Sequence, residues 1–223
     1  MSQIQDGRSA NESGGLLSPD AVLHRAAERL AVRFDGIVNE ETVERVVFES
    51  YAALARTAKV TRLLPALSEN FAQDRLLALA QSKGLIDKAV PEVLFVCVQN
   101  SGRSQMAAAI TRMIAGDRVH VRSAGSQPGE RILPVVTEVL DEIGADVSAE
   151  FPKPLTDDVV RAADAVITMG CGDACPLYPG KRYLDWHLQD PEGLDVDGVR
   201  RVRDEIRRHV EELLAEIAPT ARG

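Results

Sequence analysis

Two hydrophobic rhythms divide the chain. Between Ser18 and Gly84 apolar residues return every three or four positions. Val22, Leu23, Ala26, Ala27, Leu30 and Phe34 make one stripe, and Val43, Val46, Val47, Tyr51 and Leu54 a second. Leu63, Leu64, Leu67, Phe71, Leu76, Leu77 and Leu79 make a third. This spacing predicts three amphipathic helices with short joins, and hence a small bundle. Ser18 before Pro19, and Asn39, read as helix starts. Pro65 falls in the first turn of a helix beginning near Thr61, where a missing N–H costs little.

Beyond Gly84 the rhythm changes. Short apolar runs at 93–97, 119–122, 165–169 and 181–184 predict buried strands, and helical patterns lie between them at 105–115, 131–143 and 156–163. Thr156, with Asp157 and Asp158, reads as an N-cap, and Gly144 as a C-cap. A last helix over 196–217 places Val199, Val202, Ile206, Val210, Leu213, Leu214 and Ile217 on one face. Its arginines (Arg200, Arg201, Arg203, Arg207 and Arg208) read as a solvated outer face. Strands alternating with helices imply a parallel α/β sheet with its ligand site at the carboxyl ends of the strands. The expected organisation is a polar, disordered tail over 1–16, a three-helix bundle over 17–84, a linker over 85–91 and an α/β domain over 92–218.

The chemistry concentrates where the first strand ends. Cys97 is followed by Val98, Gln99, Asn100, Ser101, Gly102, Arg103 and Ser104, and then by an alanine-rich helix. A strand, a short polar loop and a helix start are the parts of an anion pocket. Loop N–H groups, the helix N-terminus and a forked guanidinium converge on one spot. The same field favours a thiolate, so Cys97 is expected to be nucleophilic. A tetrahedral oxyanion held against a thiolate implies attack on phosphorus or arsenic.

From about Pro91 to Ile217 the chain resembles the low-molecular-weight protein tyrosine phosphatase superfamily, and within it the arsenate reductases. The resemblance is carried by Cys97-x5-Arg103-Ser104, Ser123-Ala124-Gly125 and Phe151-Pro152-Lys153-Pro154-Leu155. It continues through Val166-Ile167-Thr168-Met169-Gly170-Cys171 and Asp190-Pro191-Glu192-Gly193. It implies a four-stranded parallel sheet with flanking helices, here preceded by the all-α bundle, an arrangement similar to some actinobacterial-type arsenate reductases. It also implies that Cys97 is the nucleophile, that Arg103 binds the oxyanion and that Ser104 donates to the thiolate. Asn100 would hold the strained loop, and Asp190 would protonate the leaving oxygen. Three positions depart from the phosphatases. Glu192 follows Pro191 where they carry an aromatic residue, Gln99 stands for a loop glycine, and Gly102 occupies a position where many relatives have a second cysteine.

Cys171 and Cys175 flank a glycine-containing loop after an apolar strand. Zinc would need more ligands than this pair, and the four histidines lack ligand spacing, so no metal site is expected. Residues 1–14 lack an apolar targeting stretch, which gives a cytosolic expectation and favours redox-active thiols. The reading is a relay. Cys171 attacks the Cys97 sulfur, arsenite leaves, and Cys175 attacks Cys171 to leave a disulfide for an external reductant. The resemblance implies thioredoxin as that reductant, or mycothiol with mycoredoxin if one thiol of the pair is inert. It also allows a structural potassium ion behind the loop. A phosphatase and a non-catalytic anion sensor remain the alternatives.

Composition adds limits. The chain has 223 residues, 45% of them hydrophobic, and a net charge of −8. No apolar run reaches membrane-spanning length. The bundle, with ten acidic and ten basic residues between Leu17 and Lys88, has a poor footprint for nucleic acid. It reads instead as a packing or docking module.

Overall fold

The computed structural model describes residues 18–58, 61–170 and 175–219. Three helices come first: α1 (Pro19–Arg33), α2 (Glu40–Ala55) and α3 (Leu64–Ser82). Their caps follow the sequence. Ser18 Oγ accepts from Ala21 N–H and Asn39 Oδ1 from Thr42 N–H, satisfying N–H groups that have no partner in the first turn. Leu23, Leu30, Val43, Val47, Ala72 and Leu76 meet in the bundle core. Helix α3 starts at Leu64 rather than near Thr61, and Leu63, expected inward, is exposed.

The rest is α/β. The strands are β1 (Glu92–Cys97), β2 (His120–Gly125), β3 (Ala165–Met169) and β4 (Arg182–Asp185). They form one parallel sheet in the order β2-β1-β3-β4. The helices are α4 (Arg103–Ala115), α5 (Pro134–Asp141), α6 (Asp157–Ala162) and α7 (Val196–Ile217). Side chains alternate across the sheet. Val93, Phe95, Cys97 and Ile167 pack with α4, α5 and α7, whereas Leu94, Val96, Ala124 and Val166 face α6.

Three expectations need correction. The helix expected from Arg131 begins at Pro134, because the residue before a proline is driven out of the helical region, and Leu133 sits extended at ψ 129°. Thr156 precedes α6 but makes no capping hydrogen bond, and its Oγ1 is buried without a partner. Arg203 is buried, not solvated: its guanidinium donates to Val139 O and to Glu142. The carbonyl it caps belongs to the last turn of α5, which has no intrahelical partner for it.

The bundle does not stand apart from the sheet. Ala78 of α3 sits in the same cluster as Leu94, Val96 and Ala124. Arg75 on α3 pairs with Asp158 on α6 at 3.0 Å. Arg122 on β2, only 4% exposed, pairs with Glu92 on β1 and with Asp74 on α3. Burial pushes the Glu92 carboxyl up, but its contact with His120 and the Arg122 charge outweigh this and hold it below the usual carboxylate range.

Candidate anion-binding active site

Cys97 ends β1, and the loop to α4 curls back over its sulfur. Four carbonyls of this segment are directed away from the sulfur. Cys97 O accepts from Ser126 N, Val98 O from Gln127 N, Gln99 O from Gly129 N, and Ser101 O from Leu133 N. Across a planar trans peptide the following N–H points opposite to its carbonyl. The N–H groups of Val98, Gln99, Asn100 and Gly102 therefore turn to the inner side. One is seen there directly: Asn100 N–H donates to Cys97 Sγ at 3.2 Å. These four outward contacts shape the loop as an anion nest.

A second chain of hydrogen bonds leads to the sulfur through Ser104. Lys153 N–H, which can only donate, meets Asn100 Oδ1 at 2.8 Å. That assigns the other branch of the amide as Nδ2, which donates to Ser104 Oγ at 2.8 Å. Ser104 Oγ, 2.9 Å from Cys97 Sγ, is then left with its own proton for the sulfur. Gln105 Nε2 adds a second donor to Asn100 Oδ1 at 3.1 Å. Asn100 is fully buried and is the one non-glycine residue with positive φ among the described residues, at 51°. Its side chain, held on both branches, stabilises the left-handed backbone that points its N–H at the sulfur.

Glycines let the walls approach. A Cβ on Gly125 would lie 2.7 Å from Val98 O and 2.9 Å from Asn100 N. A Cβ on Gly102 would lie 2.6 Å from Pro191 Cγ, so the loop is pressed against the Asp190-Pro191 segment. The position that carries cysteine in many relatives has no room for a side chain here.

Arg103, on the first turn of α4, reaches the segment from Leu188 to Asp190. Its Nη2 meets Asp190 Oδ2 at 2.5 Å and its Nη1 meets Leu188 O at 3.4 Å. Asp190 Oδ1 accepts from Glu192 N–H. Glu192 in turn accepts from Gln99 Nε2 at 3.1 Å. Two of the three residues that depart from the phosphatase pattern, Gln99 and Glu192, thus bond to one another. Cys97, Asn100 and Ser104 share one hydrogen-bonded network, and Arg103 pairs with Asp190. Cys171 lies outside the described residues. Cys175 is buried near Tyr183 and Pro176. Among the described residues no group of three or more His, Cys, Asp or Glu could hold a metal ion. No described helix is long and apolar enough to cross a membrane.

Sequence reasoning gave no role to Gln105, Lys153 or Gly129. Gln105 carries a signal: it is a lone amide at the head of an otherwise apolar helical run. Lys153 acts through its backbone N–H, which its identity does not advertise.

Residues 92–222 match the model of the low molecular weight phosphotyrosine protein phosphatase family. The chain belongs to that family. Residues 23–80 match the protein-tyrosine-phosphatase-like N-terminal domain. A putative arsenate reductase of Halobacterium salinarum is 36% identical over 130 residues, which cover 56% of this chain and 92% of that protein. Arsenate reductase 1 of Staphylococcus epidermidis is 36% identical over 123 residues, covering 53% of this chain and 92% of its own. Each of these two matches covers little more than half of this chain. The solved structure of a thioredoxin-dependent arsenate reductase from Corynebacterium glutamicum matches bundle and sheet together. It is 52% identical, covers 88% of this chain and 96% of its own, and gives a TM-score of 0.82.

Proposed function

We propose that the protein reduces arsenate to arsenite, with Cys97 as nucleophile and thioredoxin as the source of electrons. The observation that carries the choice of substrate is the Gln99–Glu192 bond at the mouth. The pair offers no ring to flank an aryl group, and a small tetroxide needs none. Likeness along the whole chain to a thioredoxin-dependent arsenate reductase supports the same reading.

In this reading the Cys97 thiolate attacks arsenic, an arsenic–oxygen bond breaks, and Asp190 hands a proton to the departing hydroxide. Arg103 and the loop N–H groups hold the remaining oxygens. The Cys171 thiolate then attacks the Cys97 sulfur. A sulfur–sulfur bond forms as the sulfur–arsenic bond breaks, and its electron pair goes to arsenic, which leaves as arsenite. Cys175 attacks Cys171 and frees Cys97, leaving a Cys171–Cys175 disulfide that a dithiol reductant reopens. Gln105 Oε1, buried behind the loop without a hydrogen-bond partner, is the neutral oxygen that would face a structural potassium ion. Such an ion would supply only charge beneath the loop.

The test separates the thiols. With thioredoxin, Cys171→Ser is expected to abolish turnover. Cys175→Ser is expected to release one arsenite per chain and stop as a Cys97–Cys171 disulfide, visible by mass spectrometry of unreduced peptides. Undiminished turnover by Cys171→Ser with thioredoxin overturns the relay, and turnover only with mycothiol and mycoredoxin reassigns the reductant.

A further inference from the structure

The loop does not rest on the α/β part alone. Two of its supports come from the segment after α5: Lys153 N–H donates to Asn100 Oδ1, and Phe151 O accepts from Gln105 Nε2 at 3.1 Å. These two backbone groups bracket the amide network that ends at the Cys97 sulfur. One anchor of that segment is the Phe151 ring. It packs against Leu54, Leu64 and Phe71, a cluster made by helices α2 and α3 of the bundle. Its other side meets the Lys153 ammonium, 4.6 Å from the ring centroid. Lys153 is tied in turn to Glu150 at 2.6 Å.

We infer that Phe151 is a positioning residue through which the N-terminal bundle sets the geometry of the anion loop. The aromatic side chain is seated in the bundle, and its own carbonyl and the N–H two residues on hold Gln105 and Asn100. A shift of the ring in its seat moves both supports at once, because Pro152 between them stiffens the backbone. Apolar packing at close-packed density resists such a shift. The Gly125–Lys153 and Gly125–Leu155 backbone bonds, both 2.8 Å, tie the same segment under Val98. The bundle is therefore part of the site's framework rather than an appendage. The inference rests on the anion-loop reading but not on the thiol relay, so it is tested by anion binding alone.

The experiment titrates inorganic phosphate into the full chain by calorimetry, with thermal unfolding measured in parallel. Phe151→Ala is expected to weaken phosphate about tenfold in a chain that still folds, and Phe151→Leu to recover most of that loss. Leu67→Ala, a smaller change in the bundle beside the same seat, is expected to weaken phosphate two- to threefold, and the double variant no further than Phe151→Ala alone. A contact that only stabilises the fold would lower the unfolding temperature and leave phosphate affinity alone. The inference is overturned if folded Phe151→Ala binds phosphate within twofold of the parent. Should that chain fail to fold, the same result for Leu67→Ala overturns it. If the parent binds no phosphate, the anion-loop reading falls as well.

Discussion

Replacing Arg103 by lysine keeps the charge and removes the fork. The side chain is 11% exposed and has little freedom. One arm is committed to Asp190 at 2.5 Å and the other points toward Leu188 O, with Gly170 behind it: a Cβ there would stand 3.1 Å from Nη1. Lysine offers a single compact ammonium in this slot. It can pair with Asp190 or with the anion, but it cannot present two parallel donors to a tetroxide. A hydrogen bond to a charged group is worth about 1.5–3 kcal/mol, so loss of one predicts about a 10- to 150-fold weaker hold on the substrate. The assay is the KM for arsenate in steady state, alongside the dissociation constant for phosphate. Because Asp190 remains to attract the lysine, the upper part of that range is expected. A KM within twofold of the parent would refute the reasoning.

Two further outcomes follow from the packing. Gly125→Ala places a methyl group 2.7 Å from Val98 O. Overpacking of this kind costs about 1–3 kcal/mol, and here the displaced atoms are the loop itself, so the unfolding temperature and phosphate affinity are both expected to fall. Unchanged phosphate affinity would mean that the loop is not seated on Gly125. The second outcome concerns acid. Burial raises the carboxyls of Glu92 and Glu150, but their cationic neighbours outweigh it and leave both below the usual range: Arg122 and His120 beside Glu92, Lys153 and Arg112 beside Glu150. A carboxyl whose pKa is lower folded than unfolded stabilises the fold above its unfolded pKa, and that stability is lost as pH falls through the folded one. Thermal stability is expected to hold from pH 7 to about 5 and to decline below about 4.5. Glu92→Gln leaves Arg122 buried with Asp74 as its remaining carboxylate, and should cost about 3 kcal/mol at pH 7 while flattening the acid limb. An unaltered acid limb in that variant would remove Glu92 from the account.

The parts legible in the sequence were those set by local rules. Apolar runs placed the four strands and the helical period the three bundle helices, although β4, expected buried, is a partly exposed edge strand. Cys97, Arg103 and Ser104 could be read because strand, loop and helix start follow one another in the chain. What was not legible arises between distant segments. Arg203 looked like its exposed neighbours until α5 ended beside it and left a carbonyl to cap. Arg122 sits in an apolar strand, where nothing local shows that Asp74 and Glu92 will surround it. The role of Lys153 lies in a backbone N–H, and that of Phe151 in a seat built by Leu54, Leu64 and Phe71, far earlier in the chain. Thr156 obeyed the capping pattern and still made no cap; the structure gives no reason for it.

In the proposed reaction the Cys97 sulfur, held by Asn100 N–H and Ser104, passes electrons to arsenate. Consumption of NADPH by the purified chain with thioredoxin and thioredoxin reductase tests it most directly. The account predicts consumption that requires arsenate, matches the arsenite released one for one, and disappears in Cys97→Ser. NADPH use that persists in Cys97→Ser, or an absence of arsenate-dependent use in a parent that hydrolyses phosphate esters, would contradict it.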